Sequence, residues 1–198
     1  MSAVASRRLL GAVIAGCALA LAALTAFGVF VERRARTPLV WVGQAAPEWQ
    51  LPSPSGAPVS LADFRGRPAL LAFVPSVNCA ICREQLRALQ AALPELSRHG
   101  CAVLAISTDL PAVQRAYARS LGLSFTLLSE ASIAGRHPVG SAYGLYHQTD
   151  SIAGPVESNA LVLIDGAGVV RAVTVQINGG LGAAQISEFV ARGLGGQQ

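Results

Sequence analysis

The chain contains no lysine: all fifteen of its basic residues are arginine, set against eleven acidic residues and three histidines. Charged residues make up only 13% of the chain and aromatic residues 6%, while hydrophobic residues reach 52%. So little charge excludes a disordered chain and implies that one segment lies in lipid. The net charge of +4 is unevenly placed. Residues 1–38 hold Arg7, Arg8, Arg33, Arg34 and Arg36 against Glu32 alone, and the other ten arginines are balanced by ten acidic residues. A domain with no net charge lacks the electrostatic footprint of a nucleic-acid binder, so that class is set aside. Cysteine is also scarce, with only Cys17, Cys79, Cys82 and Cys101 present. A domain of this length buries a sufficient core without disulfide staples.

One stretch is extreme in what it lacks. From Leu9 to Val31 there are 23 consecutive residues without a charge, and a helix needs about 20 to cross a bilayer. A cleaved signal peptide has a shorter apolar run followed by small residues, whereas Phe27, Val29, Phe30 and Val31 lead directly into Glu32-Arg33-Arg34. Residues 1–36 therefore read as an uncleaved single-pass anchor. Ile14-Ala15-Gly16-Cys17 also resembles a lipoprotein box with Cys17 as the acylated residue, but the chain stays apolar beyond it. Two arginines precede the span and three follow it, a margin too small for the positive-inside bias to set orientation. Residues 37–58 carry Pro38, Pro47, Pro52, Pro54 and Pro58 and read as a linker and extended segment. The domain is expected over 59–198.

Within it, apolar runs and helical stripes alternate. Ala69–Val74 and Ala102–Ile106 are continuous apolar runs, as in strands covered on both faces. Between them Cys82, Leu86, Leu89, Leu93 and Leu96 recur at helical spacing over Cys79–Arg98, with Gly100 ending the helix. Asp109 is expected to cap a helix that has Pro111 in its first turn. A short strand follows at Phe125–Leu128 and a loop at Tyr146–Asn159. Ala160–Ile164 and Val169–Val175 then form a hairpin, and an amphipathic helix over Ala183–Arg192 turns Ile186, Phe189 and Val190 inward. The pattern specifies an α/β fold, a mixed central sheet with helices on both faces.

The chemistry is concentrated at Cys79-Ala80-Ile81-Cys82, between the first buried strand and its helix. Helix N-terminal amides favour a thiolate, the reactive species in disulfide exchange. Cysteines three apart close a disulfide across one turn, so a bond made by one is resolved by the other. A structural metal needs two further ligands, and neither a second cysteine pair nor a His-x-His cluster is present. No cofactor is implied. Cys101 at a strand start reads as core filling, and His99 at a helix end as a capping residue. His137 and His147 fall in loops, and Trp41 and Trp49 flank the anchor and linker.

Gly43–Trp49, Val59–Pro68 with the following strand and Cys-x-x-Cys-Arg-Glu, Phe125–Glu130, Ala142–Leu145 and Leu163–Gly168 together resemble the redoxin group of the thioredoxin superfamily. That group includes the alkyl hydroperoxide reductase and thiol-specific antioxidant proteins and membrane-anchored thioredoxin-like reductases. The resemblance implies a thioredoxin-like fold and a thiol-disulfide oxidoreductase exchanging with partner proteins, Cys79 attacking and Cys82 resolving. It places Asn78, Ser158 and Asn159 where substrate docks beside the dithiol. In the group's peroxidases the frame is Pro-x-x-x-Thr/Ser-x-x-Cys, which makes Cys82 the peroxidatic residue of a second reading, with peroxide as substrate. Here Cys79 replaces the hydroxyl residue, and Asn159 stands where those enzymes place an arginine. Asn159 also stands where thioredoxins have a cis-proline, and Asn78 where they have tryptophan. A third reading is a copper-binding assembly factor, which in that group uses a dithiol one residue longer. For the leading reading the domain is expected on the extracytoplasmic side.

Overall fold

The apolar runs become the middle of one sheet because both of their faces are covered. In the computed structural model the described residues are 40–131, 137–147, 156–157, 159–176 and 179–195. The elements in chain order are β1 (Gln50–Pro52), β2 (Pro58–Ser60), a 3-10 turn (Leu61–Phe64), β3 (Ala69–Phe73), α1 (Ala80–Arg98), β4 (Ala102–Ser107), α2 (Pro111–Leu121) and β5 (Thr126–Ser129). They continue with α3 (Pro138–Ala142), β6 (Tyr146–His147), β7 (Val156–Glu157), β8 (Asn159–Ile164), β9 (Val170–Gln176) and α4 (Ala183–Gly195).

Five strands form the central sheet in the order β5-β4-β3-β8-β9. β3, β4 and β5 run parallel, and β8 and β9 run antiparallel to their neighbours. Alternation of side chains then divides the core in two. Leu70, Ala72, Val103, Ala105, Leu161 and Leu163 face α1, α2 and α4, packing on Leu86, Leu89, Ile186 and Val190. Leu71, Phe73, Leu104, Ile106, Val162 and Ile164 face the other way, onto Trp49, Leu61, Phe64, Val139 and Tyr143. The β8–β9 turn is built by Asp165, whose Oδ1 accepts from the amides of Ala167 and Val169 at 2.9 Å each, and Gly168 closes it at φ +81°.

Several expectations are revised by nonlocal packing. The segment read as a linker is extended, but from Val40 onward it is packed. β1 and β2 form a small hairpin, and Trp49 and Leu51 are buried. Trp41 is 60% exposed. The expected loop at Tyr146–Asn159 contains a two-residue pairing, Tyr146 with Glu157 and His147 with Val156, and Asn159 already belongs to β8. Phe189 is only partly buried beside Ile186 and Val190. The predicted membrane span and Cys17 lie outside the described residues. Among the described residues no helix is long and apolar enough to cross a membrane.

Candidate active site

The strand-to-helix junction places the two cysteines differently. Cys79 is the N-cap of α1, in extended conformation, and its Sγ accepts the Cys82 amide at 3.3 Å. It is half-buried, and the first turn of α1 holds no acidic residue that would offset the positive helix end. Cys82 is fully buried on the α1 stripe with Leu86 and Leu89. Burial first, and then contact with the Cys79 sulfur, push the Cys82 thiol up to about 12. A backbone contact at Ser76 and the Asn159 side chain act against that rise. Both cysteines are free thiols.

The loop before the dithiol is pinned from the neighbouring strand. Asp109 Oδ2 accepts the Val77 amide at 2.7 Å and the Ser107 hydroxyl at 2.9 Å, and its Oδ1 accepts the Ser76 hydroxyl at 2.9 Å. Thr108 donates its hydroxyl to the Pro75 carbonyl at 2.8 Å. Below them, Gln114 donates to the Ser107 hydroxyl and the Leu128 carbonyl, and Ser129 donates to the Asp109 carbonyl. The expectation that Asp109 caps α2 is therefore corrected: the N-cap is Leu110, without a side-chain cap bond. The carboxylate is already engaged by donors more than thirty residues earlier in the chain.

The residues expected to dock substrate separate. Asn78 is exposed beside the dithiol, its carbonyl accepting from Arg83 at 3.1 Å and its Oδ1 from the Tyr117 hydroxyl. Asn159 opens β8, and its side chain acts on the buried Cys82 thiol. Ser158 lies outside the described residues. Tyr117 and Asp109 are site residues that sequence reasoning missed. No local pattern marks the first, and the second carries a pattern that points elsewhere.

The remaining candidates sit away from this chemistry. Cys101 is buried, its thiol pushed up to about 12 by burial, consistent with core filling. His99 is the C-cap of α1, its ring 3.8 Å from Glu95. His137 precedes α3, with Nδ1 at 3.2 Å from the Glu130 carbonyl oxygen. Glu130 itself is buried and accepts the Val139 and Gly140 amides, which anchors α3 to the end of β5. His147 belongs to β6. Among the described residues no three His, Cys, Asp or Glu side chains are grouped to hold a metal.

Comparison with known proteins places the chain in a family. The model of the AhpC/TSA family matches residues 42–173. Alkyl hydroperoxide reductase E of Mycobacterium tuberculosis is 32% identical over 131 residues, covering 66% of this chain and 82% of that protein. Peroxiredoxin Bcp of Escherichia coli is 36% identical over 104 residues, 52% of this chain and 64% of that one. Among solved structures, peroxidoxin BcpB from Mycobacterium tuberculosis superposes with a TM-score of 0.66 at 18% identity, covering 80% and 99% of the two chains. A peroxiredoxin-like protein from Aquifex aeolicus gives 0.66 at 19% identity, covering 80% and 90%. The fold is thioredoxin-like.

Proposed function

The chain belongs to the AhpC/TSA family, and on that premise we propose that it is a thiol peroxidase that works through a reversible Cys79–Cys82 disulfide. The oxidant is drawn from the relatives, which are named as peroxide-reducing enzymes. The choice of sulfur rests on one observation, the Cys79 Sγ at the N-terminus of α1 accepting the Cys82 amide. Cys79 as thiolate attacks the outer oxygen of a hydroperoxide. The O–O bond breaks, the transferred OH makes Cys79 a sulfenic acid, and the alkoxide takes a proton from solvent and leaves as the alcohol. Cys82 attacks that sulfur, water leaves and the disulfide closes. A dithiol partner protein then restores both thiols by exchange, supplying two electrons and two protons.

The family's usual frame would instead make Cys82 the attacking thiol. Its full burial and its thiol pushed up to about 12 favour Cys79 for that step. A second reading keeps the dithiol and changes the oxidant to a protein disulfide, so that the chain is a thiol-disulfide exchanger. It is favoured by the arrangement of the pair itself, a half-buried Cys79 capping α1 with a buried Cys82 one turn behind it, which is what exchange with a disulfide requires. The two readings share the reductive half-cycle and differ only in what oxidises Cys79. Reduced protein mixed with one equivalent of an alkyl hydroperoxide is expected to lose two mass units and form the Cys79–Cys82 disulfide within the time of peroxide consumption. Persistence of both thiols with hydroperoxide, alongside rapid oxidation by a small disulfide, would replace the peroxidase by the exchanger.

We propose further that residues 1–36 anchor the chain in a membrane; placement of the domain outside the cytoplasm rests on the resembled reductases, because the arginines flanking the span do not set its orientation. Since the described packing begins at Val40, a chain lacking residues 1–36 is expected to stay soluble, unfold cooperatively and no longer sediment with membranes. Aggregation of the shortened chain, or unchanged sedimentation, would overturn that assignment.

A further inference from the structure

Six buried side-chain nitrogen or oxygen atoms lack a hydrogen-bond partner among the described residues, and four of them belong to three carboxamides on α1 or on the sheet face it covers: Gln85 Nε2, Asn159 Oδ1, and both polar atoms of Gln176. Each such atom costs about 1–3 kcal/mol when left unpaired, so a concentration of them at one place calls for a role. The topology explains how they meet. Asn159 shares the parity of Leu161 and Leu163, which pack with Cys82 and Leu86, so it faces α1. Gln176 stands directly opposite Asn159 in the β8–β9 register and projects to the same face. Gln85 lies one turn after Cys82 on the buried stripe of α1, its Oε1 accepting the Leu181 amide at 2.8 Å.

We propose that Asn159 is a positioning residue that donates its amide to the Cys82 sulfur, with Gln176 across the strand pair orienting it, so that uncharged amides stabilise the negative charge Cys82 must carry when it closes the disulfide. The arrangement fits the demands of that step. Cys82 sits in apolar packing, where a charge is expensive and water is excluded. An N–H directed at the sulfur favours the thiolate, and rotation of the Gln176 carboxamide, whose polar atoms are unpaired among the described residues, would bring its amide to Asn159 Oδ1 and fix which end of the Asn159 carboxamide faces the sulfur. The contact of Asn159 with Cys82 opposes the burial that raises this thiol. The inference rests on Cys82 as the resolving thiol.

The test uses the full chain carrying Cys17→Ala and Cys101→Ala, reduced and mixed with an aromatic disulfide. Attack by Cys79 releases one aromatic thiolate, and closure by the Cys82 thiolate breaks the mixed disulfide and releases the second. Closure speeds up about tenfold per pH unit while Cys82 remains mostly protonated. In Asn159→Ala the second release is expected to slow about tenfold relative to the first at a given pH. Asn159→Asp keeps the shape but donates only while protonated, so its closure should match the parent chain in acid and fall progressively behind as the carboxyl ionises. A purely structural role does not produce that divergence with pH. Parallel profiles for parent, Ala and Asp variants would overturn the proposal. A single release from the parent chain would instead refute Cys82 as the resolving thiol. The role of Asn159 is then decided by alkylation of Cys82 in Cys79→Ser, which must slow when Asn159→Ala is added.

Discussion

Replacing Cys79 by serine is expected to reduce oxidant turnover by about a thousandfold or more, the scale seen when an enzyme loses its nucleophile, while Cys82→Ser still consumes one equivalent of oxidant and then stops. The difference follows from where the helix puts the two sulfurs. Cys79 is half-buried at the positive end of α1, and Cys82 is sealed one turn further in. Serine matches either side chain in size, so both variants should fold. After the first oxidation Cys82→Ser has no thiol to displace the product. Its Cys79 remains a sulfenic acid under peroxide, or stays covalently linked to a disulfide partner. Stopped-flow peroxide consumption and intact-mass measurement read both outcomes. Turnover preserved in Cys79→Ser and lost in Cys82→Ser would reverse the order and establish the family's frame, with Cys82 attacking.

What the sequence revealed of this site is what is local to it. The cysteine spacing, the apolar strand before it and the stripe of Leu86, Leu89 and Leu96 on α1 follow from periodicity, and the structure places them as read. The hairpin β8–β9 and its Asp165–Gly168 turn were legible for the same reason. Features decided by distant chain were not. A run with five prolines reads as linker, yet it carries Trp49 and Leu51 into the core beneath the sheet. Asn159 reads as a residue that faces substrate, but strand parity, which depends on register with β3 and β9, turns it toward Cys82. Tyr117 reads as one more residue of an amphipathic helix, and only the packing of α2 against the start of α1 brings its hydroxyl to Asn78.

Asp109 is the strongest case of a residue whose local pattern misleads, and it carries the second large effect. Followed by Leu110-Pro111 at a helix start, it has the setting of an N-cap. Instead, the parallel pairing of β3 with β4 brings the loop after β3 alongside the loop after β4, and the carboxylate meets the Val77 amide and two hydroxyls there. These are charge-assisted bonds, and Val77 and Ser107 are fully buried, so their donors have no water to turn to. Asp109→Ala is therefore expected to lower stability by about 2–4 kcal/mol, read as a shift of the urea midpoint at unchanged slope. The consequence reaches the chemistry because Ser76 and Val77 lead directly into Asn78 and Cys79. With the loop released, the N-cap geometry of Cys79 is no longer held, and its alkylation rate should change even under conditions where the variant is fully folded. Asp109→Asn keeps one acceptor but presents its amide to a donor, and should lie between the parent chain and the alanine variant in both measurements. A midpoint within about 0.5 kcal/mol of the parent, together with an unchanged Cys79 rate, would show that the loop is held by β3 and α1 without Asp109.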